Sequence, residues 1–161
     1  GDTSLMNQVR GYRRLGGAIV SPFDAYLLHR GLETLELRVS RANQNALTLA
    51  NFLSSHPSVQ SVRYPGLPRD ASHAVAARQM RDFGPIVSFT LRDRESAEKF
   101  INNNALIVPA TSFGGVHTSA ECRVRWGDQV TDGFIRLACG IEPSEDLVMS
   151  AENALREIGP V

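Results

Sequence analysis

Lysine is almost missing from this chain: sixteen of its seventeen basic residues are arginine, and Lys99 is the one exception. The skew is compositional, but any covalent chemistry through a lysine amine has a single candidate here. No apolar run is long enough to cross a bilayer, and no basic start leads into an apolar stretch of the secretory kind. The expected setting is cytoplasmic. Cysteine is scarce as well. Of Cys122 and Cys139, the second alternates with Ile135 and Leu137 and so reads as a small buried hydrophobe, with no disulfide expected. Nor is there an excess of either charge: seventeen acids balance the bases, and no net field draws nucleic acid or an anionic membrane. The phosphate-cradling loop G-x-x-x-x-G-K-[ST], the G-x-S-x-G elbow and the C-x-x-C pair are all absent. His117, Glu121 and Cys122 lie close in sequence, but their spacing matches no common zinc pattern, and no metal site is expected. His29, His56 and His73 are scattered, and Arg10, Arg13 and Arg14 read as an exposed helix surface.

What is present is ordinary globular material: 161 residues, 42% hydrophobic and 21% charged, enough for one domain with its own core. Gly1 to Leu15 has few apolar residues and no initiator methionine, so it reads as the middle of something longer. After the Gly16-Gly17 turn, Ser21-Pro22 opens a helix: a hydroxyl cap, then a proline whose missing N–H costs nothing there. Leu27, Leu28, Leu32, Leu35 and Val39, then Ala42, Ala46, Leu49, Ala50 and Leu53, recur at helical spacing as far as Pro57, with Gly31 the expected break. A short strand is predicted over Val59 to Tyr64, and a helix from about Ser72. Ile86 to Leu91 is the clearest strand, bounded by Gly84-Pro85 and the charged run Arg92 to Glu95. Ala97, Phe100 and Ile101 face inward on a helix stopped by Asn102-Asn103-Asn104. Ala105 to Ala110 should form another strand, and Thr111 to Gly115 a polar bend. Residues 116–133 show no period and read as a loop in which Trp126 packs partly inward. Pro143 to Asp146 opens a last helix, with acids at the positive end of its dipole and Leu147, Ala151, Ala154, Leu155 and Ile158 buried. The sum is an α+β fold: a small, mostly antiparallel sheet of three to four strands, with helices packed on one face.

The stretch Phe134 to Glu142 reads as a strand carrying one charge out of place. Side chains alternate, so Ile135, Leu137 and Cys139 form one apolar face, while Phe134, Arg136 and Ala138 share the other; both faces look covered. A guanidinium among apolar neighbours loses solvation, and a carboxylate or phosphate that meets its planar fork with two parallel hydrogen bonds restores it. That anion comes either from a ligand or from a carboxylate of this same chain.

Four blocks then occur in order: Ser21-Pro22-Phe23-Asp24-Ala25-Tyr26-Leu27-Leu28-His29-Arg30-Gly31-Leu32-Glu33-Thr34-Leu35; Tyr64-Pro65-Gly66-Leu67; Ser112-Phe113-Gly114-Gly115; and Ile135-Arg136-Leu137-Ala138-Cys139-Gly140-Ile141-Glu142. Over nearly the whole chain they resemble the C-terminal part of the cysteine/methionine-metabolism family of pyridoxal-phosphate enzymes, which includes cystathionine γ-synthase, cystathionine β-lyase, cystathionine γ-lyase and methionine γ-lyase. The resemblance implies the C-terminal domain of a fold-type I, aspartate aminotransferase-like enzyme. Residues 1–20 would be a linker or helix from the large cofactor-binding domain and 21–161 the small domain. Arg136 stands at the arginine of the family's R-L-[SA]-x-G-x-E block, which binds the α-carboxylate of the amino-acid substrate. Ser112 opens the S-[LF]-G-G block beside the cofactor-bearing lysine, and Thr111 falls where the distal end of the substrate side chain is sensed. Arg30 and Tyr64 also match patterned positions, with packing an equal explanation. The implied cofactor is pyridoxal 5′-phosphate, held mainly by an N-terminal large domain. The implied partners are a sulfur amino acid, that domain and further copies in a homotetramer, with no nucleic acid and no membrane.

Two departures qualify the likeness. The family's lysine lies in an S-x-T-K segment that has no counterpart here, and Lys99 sits in a surface-like helix between Glu98 and Phe100. No catalytic residue is therefore assigned, and the isolated segment is expected to be inactive. The stretch Val116 to Gly133 is shorter than in many relatives, and His117-Thr118-Ser119-Ala120-Glu121-Cys122-Arg123 replaces their H-P-x-x-M-T-H at what reads as the pocket mouth. The expectation is a carbon–sulfur lyase of sulfur amino-acid metabolism, most like a cystathionine γ-lyase. The alternatives are a γ-synthase, a β-lyase or another thiol lyase of the family. The competing class is a free-standing amino-acid-binding or assembly domain.

Overall fold

The computed structural model describes residues 1–160, which fall into two compact units, Gly1–Glu36 and the chain from Leu37 onward. In the first, helix α1 (Thr3–Gly16) is capped by the Asp2 carboxylate, which accepts from the Leu5 N–H at 3.0 Å. Helix α2 (Pro22–Glu33) opens as the sequence predicts: Ser21 Oγ accepts from the Asp24 N–H at 3.1 Å, with Pro22 at the first helical position. The break is not at Gly31, which lies inside α2, but at Thr34. A glycine costs a helix about 1 kcal/mol, too little to end one whose neighbours bond normally. No residue of α1 or α2 is buried in this structure; Leu5, Val9, Tyr12, Phe23, Leu28 and Leu32 are all more than half exposed.

The second unit holds the core. After helix α3 (Leu35–Ser55) come β1 (Ser61–Arg63), α4 (His73–Gln79), β2 (Ile86–Thr90), α5 (Arg94–Asn102), β3 (Val108–Pro109), β4 (Ser119–Cys122), a 3-10 turn (Arg123–Trp126), β5 (Phe134–Ala138) and α6 (Ser144–Arg156). The sheet order is β1-β2-β5-β4-β3, antiparallel except for β3 beside β4, so the three-residue β1 and two-residue β3 form its edges. Among the described residues the sheet has five strands rather than three to four. The unforeseen one is β4, in the stretch read as a loop. Its Ser-Ala-Glu-Cys sequence carries only small apolar residues on the core side, Ala120 and Cys122, yet all four residues are buried. The strand expected over Ala105 to Ala110 shrinks to Val108–Pro109, because the Asn104 side chain accepts from the Leu106 and Ile107 N–H groups at 3.1 Å each and turns the chain locally. Trp126 does not pack inward and is 61% exposed.

Strand register puts Val62, Phe89, Ile135 and Cys122 in one row across the sheet, and Val87, Leu137 and Ala120 in the next. Against these rows lie Leu49 and Leu53 of α3, Ala97 and Phe100 of α5, and Ala151 and Leu155 of α6. Phe89 and Phe100 meet edge to face with ring centroids 5.3 Å apart. Cys139 joins this core, and burial, with Glu142 adding to it, pushes its thiol up to about 12. Both cysteines are free thiols. Tyr64 is also a core residue; its hydroxyl donates to the Gly84 carbonyl at 3.0 Å. Coverage of β5 is uneven: Ile135 and Leu137 are fully buried on the core face, while on the opposite face Ala138 is buried and Phe134 and Arg136 are half-buried. Among the described residues no helix is long and apolar enough to cross a membrane.

Candidate functional site

On the less covered face of the sheet, register aligns Arg63, Ser88, Arg136 and Glu121 in one row across β1, β2, β5 and β4. Arg136 therefore projects from the central strand. Alternation fixes this direction: a residue between core-facing Ile135 and Leu137 must point away from the core. The guanidinium lies over the Phe113 ring, 5.3 Å from its centroid, and Nη2 donates to the Thr111 carbonyl. The same nitrogen is 3.6 Å from Glu121 Oε2, an ion pair outside hydrogen-bonding range. Among the described residues, Nε and Nη1 of Arg136 have no hydrogen-bond partner.

Both candidate sources of an anion for Arg136 thus bear on the site. A carboxylate of the same chain is close, but it is committed elsewhere: Glu121 accepts from Arg123 Nη1 at 2.9 Å and from the Trp126 indole N–H. Thr111, Glu121 and Trp126, with Ile101 and Asn102 of α5, help to line a cleft of about 130 Å³ whose walls do not include Arg136. On the other flank, Arg63, Ser88 and Phe134 line a hollow of about 350 Å³.

Thr111 meets Arg136, whereas Ser112, next in the same bend, has no hydrogen bond to the guanidinium among the described residues. Thr111 meets the guanidinium by its carbonyl, and the Ser112 carbonyl accepts from Ser119 Oγ at 2.9 Å. Ser112 and Phe113 are exposed. His117, Glu121 and Cys122 are not brought together as a metal cluster would require. Glu121 and Cys122 alternate to opposite faces of β4, with Cys122 in the core, and His117 is exposed.

The loop that carries Thr111 to Phe113 is anchored by polar residues that the sequence reading did not single out. Glu142 accepts from the Thr118 N–H at 2.6 Å and its hydroxyl at 2.8 Å. Thr118 Oγ1 in turn accepts from the Gly140 N–H at 2.9 Å. Asn45, in the buried stripe of α3, donates to the carbonyls of Gly140 and Glu142 at 2.9 and 2.8 Å, and Ser144 Oγ donates to its side-chain oxygen at 2.6 Å. One signal was available: Asn45 falls between Ala42, Ala46 and Leu49 on the buried side of α3, and a buried amide is usually hydrogen-bonded.

The pyridoxal phosphate that the resemblance implies does not fit the residues of this chain alone. Its chemistry needs a lysine amine. The only lysine, Lys99, donates from Nζ to the Glu157 carbonyl at 2.9 Å, on a helix that packs against the opposite, core face of the sheet.

The chain is similar to known proteins over nearly its whole length. The chain is 48% identical over 157 residues to a Streptomyces coelicolor protein provisionally named cystathionine gamma-lyase, covering 97% of this chain and 40% of that protein. It is 44% identical over 160 residues to the cystathionine gamma-synthase of Mycobacterium leprae, with 93% and 41% covered. Its fold matches the crystal structure of apo CalE6, a methionine gamma lyase from Micromonospora echinospora, with a TM-score of 0.87 and 39% identity over 96% of this chain and 42% of that one. The chain spans about two fifths of the length of each. With residues 1–156 matched by the profile described as Cys/Met metabolism PLP-dependent enzyme, the chain belongs to that family.

Proposed function

We propose that this chain is the substrate-carboxylate-holding part of a pyridoxal-phosphate-dependent carbon–sulfur lyase of sulfur amino-acid metabolism, most like a cystathionine γ-lyase. The observation that carries the reading is the state of Arg136. Phe113 and the Thr111 carbonyl fix its plane, while Nε and Nη1 are left without a partner among the described residues. The Nη2 hydrogen not given to Thr111 pairs with the N–H beside it, of Nε or of Nη1, to offer an α-carboxylate two parallel charge-assisted bonds. Ser112 would stand beside the same carboxylate, and Thr111, on the cleft wall, would meet the distal end of the side chain. A clamp of this kind serves γ-synthases and β-lyases as well; similarity to the Streptomyces coelicolor protein favours the γ-lyase.

In this reading residues 1–20 belong with a large domain and 21–161 form the small one. The lysine and the phosphate contacts lie in the part of the relatives that this chain does not span, and the intact enzyme is a cytoplasmic homotetramer. In the enzyme that carries this chain, Arg136→Ala should raise the KM for cystathionine about a hundred- to ten-thousandfold, the loss of two charge-assisted bonds, with cofactor absorbance intact. Unchanged turnover at low cystathionine refutes the role of Arg136. The isolated chain mixed with pyridoxal phosphate should keep no protein-bound aldimine band once the free cofactor is removed, and a band abolished by Lys99→Arg would refute the placement of the lysine elsewhere.

A further inference from the structure

The proposed seat already has a carboxylate at its side. Glu121 stands directly across from Arg136 in the β4–β5 pairing, and its side chain is 5% exposed. Its two oxygens are not equivalent. Oε1 takes the Trp126 indole N–H; Oε2 takes Arg123 Nη1 at 2.9 Å and lies 3.6 Å from Arg136 Nη2. Arg123 has a second acid of its own: Asp128 Oδ2 sits 2.6 Å from its Nε and 2.5 Å from its Nη2. With Arg123 matched by Asp128, the charge left opposite Glu121 is that of Arg136. Yet Glu121 makes no hydrogen bond to it, so the fork stays open.

We propose that Glu121 is the internal counter-charge of Arg136, held out of hydrogen-bonding range by Arg123 and Trp126, so that it screens the guanidinium without filling its fork. This rests on the reading of Arg136 as a carboxylate seat. Glu121 touches no substrate in it and acts through the charge of Arg136, setting how tightly the seat holds. The empty site avoids a lone desolvated cation, and an arriving carboxylate binds against the repulsion of a second one nearby. The other role open to Glu121, that of orienting Arg136, is already filled by the Thr111 carbonyl and the Phe113 ring.

The test uses the 161-residue chain with L-methionine as probe and L-methioninamide, which lacks the carboxylate, as control. Binding is followed by calorimetry and by the emission of Trp126, the single tryptophan of the chain. Glu121→Gln should tighten methionine binding about three- to tenfold and leave the amide unaffected. Unchanged or weaker methionine binding in Glu121→Gln, with binding still abolished by Arg136→Met, overturns the counter-charge role and leaves the seat standing. Methionine binding that survives Arg136→Met overturns the seat itself and this inference with it. Urea denaturation of the single and double variants is a second readout that needs no ligand. Arg136→Met should lower the midpoint less in the Glu121→Gln background than in the wild type, and strictly additive shifts overturn the pairing.

Discussion

Replacing Gly140 by alanine tests how firmly the end of β5 is joined to the loop that carries Thr111 to Phe113. A Cβ at Gly140 would fall 2.3 Å from the Val116 carbonyl oxygen, 2.6 Å from Glu142 Oε2 and 2.6 Å from the His117 carbonyl carbon. Two of these atoms are main chain, and the Val116 carbonyl itself accepts the Ile141 N–H at 3.0 Å, so relief requires the loop to move. Moving it opens the Glu142–Thr118 bonds of 2.6 and 2.8 Å. Overpacking alone costs about 1–3 kcal/mol, and losing a hydrogen bond to a charged group about 1.5–3 more. The expected loss is therefore about 3–5 kcal/mol, a large share of the stability of a domain this size. The assay is urea denaturation, reading midpoint and slope, with Gly115→Ala as the matched control. At Gly115 the nearest atom to a new Cβ is 4.0 Å away, and the change should stay within about 0.5 kcal/mol. The same Gly140→Ala variant should lose methionine binding at Arg136, because the loop holding Thr111 and Phe113 is displaced. A loss below about 1 kcal/mol with unchanged slope would refute the tight approach on which this reasoning depends.

Asn45→Asp should cost about 2–4 kcal/mol in the same assay, since a carboxylate would face the two carbonyls that the amide now donates to; the penalty should shrink in acid, where the new group carries a proton. Phe100→Ala should cost about 3–5 kcal/mol by emptying the space beside Phe89, while leaving Trp126 emission unchanged. Stability should fall in alkali. Burial pushes Cys139 from 9.0, and Tyr64 from 10.0, up to about 12, so the unfolded chain releases these protons first as the pH rises. The contribution is fully present below pH 9.0 and is lost as the pH climbs towards 12; a urea midpoint that stays flat over that window would show the thiol is not buried as described. Cys139→Ala should flatten that slope.

Elements with strong period or strong punctuation were legible in the sequence. Ile86 to Thr90 alternates between Gly84-Pro85 and a charged run, and Ser21-Pro22 and Pro143-Ser144 mark helix starts that the structure keeps. What escaped had little apolar contrast. β4 forms because its main chain pairs on both sides and its Ala120 and Cys122 join the core in register with Leu137 and Ile135, a tertiary cause invisible in Ser-Ala-Glu-Cys. Arg136 was legible as a charge on the wrong face, and Thr111 and Ser112 only through family resemblance. Glu121 could not be paired with it, because register between β4 and β5 depends on knowing that β4 exists. The Gly31 expectation failed for the opposite reason: a local propensity of about 1 kcal/mol was set against a helix whose neighbours bond well.

The outermost strands of the sheet carry a consequence for crowded conditions. Strands three and two residues long expose few free main-chain donors and acceptors, and Pro109 at the far rim has no N–H to offer. A foreign strand seeking to extend the ladder finds almost no template at either end. Fibre-like growth by strand addition is blunted at both rims, even though the middle of the ladder is rich in valine, isoleucine and phenylalanine.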